Sequence, residues 1–218
     1  MKHLFFVVAI LLSFQIAIAQ TKYAVKAGWN YSTARVTDNL VKQPAKYKSG
    51  FGVAFLFKIP FDHNLHFSPY VGYNLRGFSY QPTTGFLSKR DYTIHYLDMV
   101  PALSYDLPLN KKSSFVFSLG PQFGIALSGT EKLTAVNNTT VSRKMKFDLE
   151  GDYGPIDVGL NASIGVHLKK IFVEAGYQLG LANINNNEDV VNADSGVLID
   201  PRNIRHRMFS LNIGYYLK

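Results

Sequence analysis

The chain has 218 residues, no cysteine, and 23 Lys and Arg against 15 Asp and Glu, which gives a formal net charge of +8. The lack of cysteine excludes disulfide scaffolds, thiolate zinc sites and cysteine nucleophiles. With 47% hydrophobic and 14% aromatic residues, the chain is too apolar to be fully disordered, and its length suits one all-β domain or two small ones.

The first nineteen residues have the composition of an export signal. Lys2 provides a basic start, an apolar run covers Leu4–Leu12, and small residues precede the end of the segment at Ala19. This order predicts a signal peptide over 1–19 that is cleaved after Ala19, in preference to an uncleaved membrane anchor. The mature domain is then 20–218, and no later stretch approaches the ~18 continuous apolar residues of a membrane helix.

The mature sequence alternates apolar residues with small or polar ones, which is the pattern of half-buried strands. We predict eight strands, near 21–33, 50–60, 65–78, 92–107, 114–128, 155–167, 171–181 and 205–217. One alternating set in each strand is large, apolar and uncharged, as in Phe51, Val53 and Phe55. The opposite set is small or polar, as in Gly120 and Gln122.

The sizes of the two sets indicate which face is inside. Small residues relieve crowding on the concave side of a small barrel, and bulky ones suit its convex side. The apolar set therefore faces lipid and the polar set fills the lumen. We predict an all-β fold, an eight-stranded antiparallel up-and-down transmembrane β-barrel whose last strand closes on its first.

The connections also alternate in length. Loops after even strands are short, whereas those after odd strands cover 34–49, 79–91, 129–154 and 182–204. Outer-membrane barrels have short periplasmic turns and long extracellular loops. We therefore expect an integral outer-membrane protein with both termini on the periplasmic side and with long loops that could bind a protein partner.

Charged residues recur on the predicted lumen face. Strand direction predicts three layers from the outer rim to the periplasmic end: Arg76 with Asp157; Lys26, Asp98 and Glu174; and Lys58 with Asp106. A polar plug that fixes the barrel shape is favoured over a gated ion path. The reason is that an eight-stranded barrel leaves little more than room for side chains.

The search for other chemistry predicts no catalytic residue, metal site or cofactor. A lipid-cleaving serine and histidine pair at the rim is conceivable, because His95 alternates in phase with the lipid-facing residues. The chain, however, lacks the G-x-S-x-G pattern of a nucleophile elbow. His63 and His66 lack a third ligand. Basic loop residues lie at the height of lipopolysaccharide phosphates, a natural partner for Lys and Arg, and nucleic acid is not an expected partner. The predicted lipopolysaccharide contacts are Lys46, Lys48, Arg143 and Lys144.

Several short segments occur in a characteristic order: KAGWNYS at 26–32, SGFGV at 49–53, HYLDMVP at 95–101, LGP at 119–121, DYG at 152–154 and AGYQLGL at 175–181. With these segments the mature chain resembles the small outer-membrane β-barrels of Bacteroidetes-type bacteria, described as PorT-like or as an outer membrane protein beta-barrel domain. A few members of such families resemble components needed for protein secretion across the outer membrane. The chain departs from the usual pattern because it ends with Lys218 instead of an aromatic residue.

These observations favour a structural or partner-binding outer-membrane barrel, and the resemblance implies a link to protein secretion. The alternative is a narrow ion or small-solute channel. Two further hypotheses remain, a lipid-modifying enzyme at the rim and a soluble ligand-binding barrel.

Overall fold

The computed structural model describes residues 21–38, 41–82, 87–148, 153–186, 190–191, 198–199 and 203–217. The predicted signal peptide, 1–19, lies outside these residues. Within them no helix is long and apolar enough to cross a membrane. The strands of the described residues are β1 Lys22–Asp38, β2 Val41–Gln43, β3 Ala45–Asp62, β4 Leu65–Phe67, β5 Tyr70–Tyr80, β6 Leu87–Val100, β7 Leu103–Asn110, β8 Ser113–Ala135, β9 Thr140–Lys144, β10 Ile156–Leu168, β11 Ile171–Gly180, β12 Val190–Val191, β13 Leu198–Ile199 and β14 Asn203–Tyr216.

Antiparallel pairing joins the long strands into a closed ring. The order around the ring is β1, β3, β5, β6, β8, β10, β11 and β14, with β4 and β7 continuing the lines of β5 and β6. The first strand pairs with both β14 and β3, so the last strand of the chain closes on the first. The predicted eight-stranded antiparallel barrel is confirmed.

Two of the predicted strands are each divided at a proline. The prediction 65–78 becomes β4 and β5, separated at Ser68-Pro69, and 92–107 becomes β6 and β7, separated at Pro101-Ala102. Proline has no N–H for the ladder, so regular pairing stops there. The backbone N–H of Ser68 still donates to the carbonyl of Ala102 at 2.8 Å, which joins the two interruptions.

The large apolar set lies on the outside of the ring. Phe55, Leu160 and Val173 are 37%, 45% and 45% exposed, whereas lumen-facing neighbours such as Asn161 and Glu174 are 8% and 5% exposed. A water-soluble barrel would pack the apolar set in its centre. The exposed belt therefore faces lipid, as the sequence predicts for a transmembrane barrel.

The strands at the long-loop end extend beyond their predicted limits. β1 continues to Asp38 and β8 to Ala135, and β8 then forms a hairpin with β9. The prediction that 129–154 is entirely loop is therefore wrong in its first part. The turn of this hairpin contains Asn138, whose φ of 64° is a left-handed conformation that asparagine tolerates.

Candidate functional site

The lumen contains ion pairs that begin near the short-turn end. The Nζ atom of Lys58 donates to both carboxylate oxygens of Asp106, at 2.7 and 2.6 Å. His66 lies beside them, with its Nδ1 atom 3.7 Å from the Asp106 carboxylate. Lys58 is only 5% exposed, so its ammonium group depends on this carboxylate in place of water.

A second pair lies at middle height. Lys26 Nζ donates to Glu174 Oε2 at 2.9 Å, and His167 Nε2 lies 3.4 Å from the other oxygen of Glu174. Beside this pair is a cavity of about 30 Å³, lined in part by Asn74 and Asn161. That volume holds at most one or two waters.

The third group is fully buried. Arg76 Nη1 donates to Asp157 at 2.9 Å, and its Nη2 atom donates to both oxygens of Asp98. Gln122 also donates to Asp98 at 2.9 Å, and His206 Nδ1 lies 3.1 Å from Asp157. The Arg76 side chain has no exposed surface, so the guanidinium and its two carboxylates are packed inside the lumen at this height.

Asp98 has a different partner from the one expected. Strand direction predicts Asp98 at the height of Lys26 and Glu174, but these two pair with each other, and Asp98 contacts Arg76 and accepts from Asn74 at 2.6 Å. Along the paired strands, Gly72 lies opposite Asp98, four residues before Arg76. The long arginine side chain therefore extends toward the short-turn end to reach Asp98.

Beside Arg76 and above it, toward the long loops, the lumen contains a cluster of buried aromatic side chains. We call this cluster the aromatic cap, and its members, all 0–1% exposed, are Phe78, Tyr80, Tyr92, Tyr96 and Tyr153. The rings of Phe78 and Tyr92 stack with centroids 4.5 Å apart. The cluster was not predicted because the predicted strands end at 78 and begin again at 92. Residues two apart in a strand point to the same face, so extending the first strand would have placed Phe78 and Tyr80 in the lumen with Arg76.

One acidic residue is enclosed beside the cap. Glu131 has no exposed surface, and it accepts from Tyr92 at 2.7 Å, from Arg90 at 3.0 Å, from Arg143 at 2.5 Å and from Tyr153 at 3.3 Å. Its position was not predictable from strand parity. A register shift between β6 and β8 moves the alternation by one residue and turns Glu131 inward.

Burial alone would raise the pKa of Glu131. The hydrogen bonds from Tyr92 and Arg143 and the charges of Arg143 and Arg90 outweigh burial, so the pKa of Glu131 lies below its ordinary value. Glu131 lies four residues after Leu127, an exposed apolar residue of β8, and in the part of β8 that pairs with β9, beyond the lipid-facing belt. The carboxylate is therefore held in its charged form at the long-loop end.

The four residues predicted to contact lipopolysaccharide differ in their availability. Lys46 and Lys144 are exposed, and no acidic side chain of the described residues forms an ion pair with either. Lys48 instead forms an ion pair with Asp91, and Arg143 is held by Glu131. Lys46 and Lys144 are therefore the members of the set that are exposed and have no carboxylate partner among the described residues, whereas Arg143 is 44% exposed but paired.

These features define an integral β-barrel with a filled lumen, and comparison with known families gives the same class. The family described as "Outer membrane protein beta-barrel domain" matches residues 18–186. Because this match covers most of the chain, the protein belongs to that family. A comparison with curated proteins finds no match.

Two solved structures are similar to the chain at low identity. Ail, the attachment invasion locus protein of Yersinia pestis, solved in complex with the heparin analogue sucrose octasulfate, is 14% identical; the match covers 90% of this chain and 99% of Ail, with a TM-score of 0.41. Neisserial surface protein A is 13% identical. The match covers 88% of this chain and 96% of that protein, with a TM-score of 0.41. The barrel architecture itself is established by the strand pairing.

Proposed function

We propose that the protein is a non-conducting, non-enzymatic outer-membrane barrel with a structural or partner-binding role. The observation that carries the proposal is the set of buried side chains that fills the lumen. Arg76 and its carboxylates fill one level of the barrel, and the aromatic cap fills the next level toward the long loops. A permeating ion would have to displace both buried charges and dry aromatic rings, which is a large barrier.

Conductance across a planar bilayer tests this proposal against the channel alternative. We expect the reconstituted barrel to give no steady unitary current. Steady currents that disappear in Asp98→Asn or Glu174→Gln, but persist in Lys89→Gln at the exposed rim, would contradict the proposal and support a channel. The Lys89 variant is a suitable control because its side chain is 47% exposed and pairs only with Asp91 among the described residues.

The β8–β9 hairpin supports a partner-binding role. It extends beyond the lipid-facing belt, and near its tip Val136 and Val141 are 72% and 58% exposed. In the described part of the chain β9 pairs only with β8, so its outer edge has free backbone groups. Exposed apolar residues beside an open strand edge are suited to adding a strand from another protein.

Crosslinking in intact outer membranes tests this surface. We expect the double variant Val136→Ser, Val141→Ser to lose a crosslinked partner that the unaltered protein retains. Leu109→Ser is a matched control, because Leu109 is 50% exposed but lies at the opposite end. Equal crosslinking in all three proteins would contradict a role for the hairpin. If the captured partner is a component of the secretion apparatus, the link suggested by the PorT-like resemblance is supported.

We also propose that lysines on the long-loop rim contact lipopolysaccharide phosphates. Lys46 and Lys144 are exposed, and Lys132 on β8 is exposed at the same end. Substituting Lys46 and Lys144 with Gln should weaken lipopolysaccharide binding nearly as much as neutralising Lys48 and Arg143 as well. Unchanged binding in the fourfold variant would contradict the proposal.

A further inference from the structure

The short-turn end of the barrel has an open basin of about 430 Å³. The β3–β4, β7–β8 and β10–β11 turns surround it together with the start of β1. Its floor includes the ion pair of Lys58 with Asp106, and its rim includes four lysines, which are Lys22, Lys111, Lys112 and Lys169. In the usual orientation of an outer-membrane barrel, this end faces the periplasm.

The charge of the basin is strongly unbalanced. Among the described residues that line it, Asp106 is the acidic one, and its two carboxylate oxygens are occupied by Lys58. The four rim lysines therefore have no carboxylate within the basin. Like charges around a concavity with low-dielectric walls concentrate the field and raise the local concentration of anions.

The turns that carry two of these lysines are held together. The backbone N–H of Lys169 donates to the carbonyl of Lys112 at 2.9 Å, and the N–H of Lys112 donates to the Asn110 side chain at 2.8 Å. Lys169 has a φ of 44°, a left-handed conformation that fixes this tight turn. A ligand would thus meet a preformed backbone, which lowers the entropic cost of binding.

We propose that this basin binds a phosphate group, supplied by a small phosphorylated molecule of the periplasm or by a lipid headgroup. Lysine ammonium groups bind phosphate as point charges, and the hydroxyls of Ser113 and Ser114 in the lining add hydrogen-bond donors. The volume falls within the ~300–1,000 Å³ of small-molecule sites. The basin can therefore hold a phosphate together with the group to which it is esterified.

Isothermal titration with inorganic pyrophosphate tests the proposal on the full barrel in a zwitterionic detergent at low salt. We expect binding that weakens as salt rises. The double variant Lys112→Gln, Lys169→Gln should weaken binding by about tenfold or more, because two phosphate contacts are lost. The double variant Lys46→Gln, Lys144→Gln removes the same charge from the opposite end, and its affinity should match that of the unaltered protein.

The source of the phosphate is distinguished in nanodiscs. If phosphatidylglycerol in place of phosphatidylcholine lowers pyrophosphate affinity for the unaltered protein, and still does so at raised salt where repulsion by the anionic bilayer is screened, the site takes lipid headgroups. If affinity at raised salt is the same in both lipids, the site takes a soluble phosphate. Absence of pyrophosphate binding, or equal weakening in the two double variants, would overturn the proposal. The test is independent of conductance and of the β8–β9 hairpin.

Discussion

The two halves of the lumen are filled in different ways by the same strands. Toward the short turns, charged side chains form ion pairs around small cavities and open into the basin. Toward the long loops, the aromatic cap excludes water. Arg76 lies at the boundary, with its guanidinium 4.4 Å from the ring centroid of Tyr96. The comparison shows that buried charges have partners of opposite charge in both halves, as Glu131 has with Arg90 and Arg143 toward the long loops, and that aromatic rings fill more of the lumen beyond Arg76.

The two halves are expected to contribute differently to stability. A buried ion pair gains little over an apolar filling of the same shape, because the desolvation of its two charges offsets their attraction. Closely packed aromatic rings have a favourable burial term and no comparable desolvation cost. The ion pairs should therefore fix the geometry of the lumen, whereas the cap should contribute net stability.

The largest expected loss of stability follows from substituting Arg76, which lies at the boundary between the two halves. Arg76→Met leaves Asp98 and Asp157 buried without their cation, and we expect a loss of about 3–5 kcal/mol in the free energy of unfolding. Urea titration of the barrel in lipid vesicles measures it. Lys89→Met, which removes a cation from an exposed ion pair, should cost under about 1 kcal/mol. A similar small loss for Arg76→Met would mean that water reaches this level, and the contrast between the halves would fail.

A second prediction concerns the belt that encloses both halves. Ile213, 60% exposed on β14, lies opposite Ala27 and Val173 on its neighbours. Ile213→Arg should cost roughly 2–4 kcal/mol if this residue is at the mid-plane of the membrane. Leu217→Arg near the short-turn edge should cost about 0–1 kcal/mol. Equal costs at the two depths would contradict the assignment of the outer face to lipid.

The outward face of the barrel could be predicted from the sequence better than the contacts between side chains in the lumen. Alternation identifies the outward side chain at Phe55 or Leu160 directly, because strand geometry repeats every two residues. It does not identify which inward residues meet across the lumen. That depends on strand tilt and side-chain length, which is why Arg76 reaches Asp98 and Lys26 remains with Glu174.

The hairpin region was predictable only in part. Asn137 and Asn138 form a recognisable turn signal, and the alternation continues on either side of it, so β9 could have been predicted. The shift of register near Ser128 could not, because no residue pattern marks the bulge. That shift turns Glu131 inward and draws Arg143 to it. Arg143, which was predicted to contact lipopolysaccharide, therefore also pairs with a buried carboxylate, although its own side chain is 44% exposed.

A third prediction tests how the cap accommodates the neighbouring carboxylate of Glu131. Tyr92→Phe keeps the ring stacked on Phe78 but removes the hydroxyl that donates to Glu131. A hydrogen bond to a charged group contributes about 1.5–3 kcal/mol, and we expect a loss of that size in urea unfolding. Tyr105→Phe is a suitable control, since Tyr105 is 47% exposed on the belt. Equal losses in the two variants would show that the Tyr92 hydroxyl has no special role.

The smallest predicted effect is the pH dependence of the stabilisation by Glu131, in the long-loop half. The pKa of Glu131 is lowered in the folded protein, so its charged form stabilises the fold. This contribution is complete above the ordinary glutamate pKa of about 4.3 and is lost as the pH falls through the lower folded-state value. Glu131→Gln removes this titration while preserving the shape of the side chain. The difference in unfolding free energy between the two proteins should therefore shrink between about pH 7 and about pH 3. A difference that stays constant with pH would mean that Glu131 is not held charged by Arg143 and Tyr92.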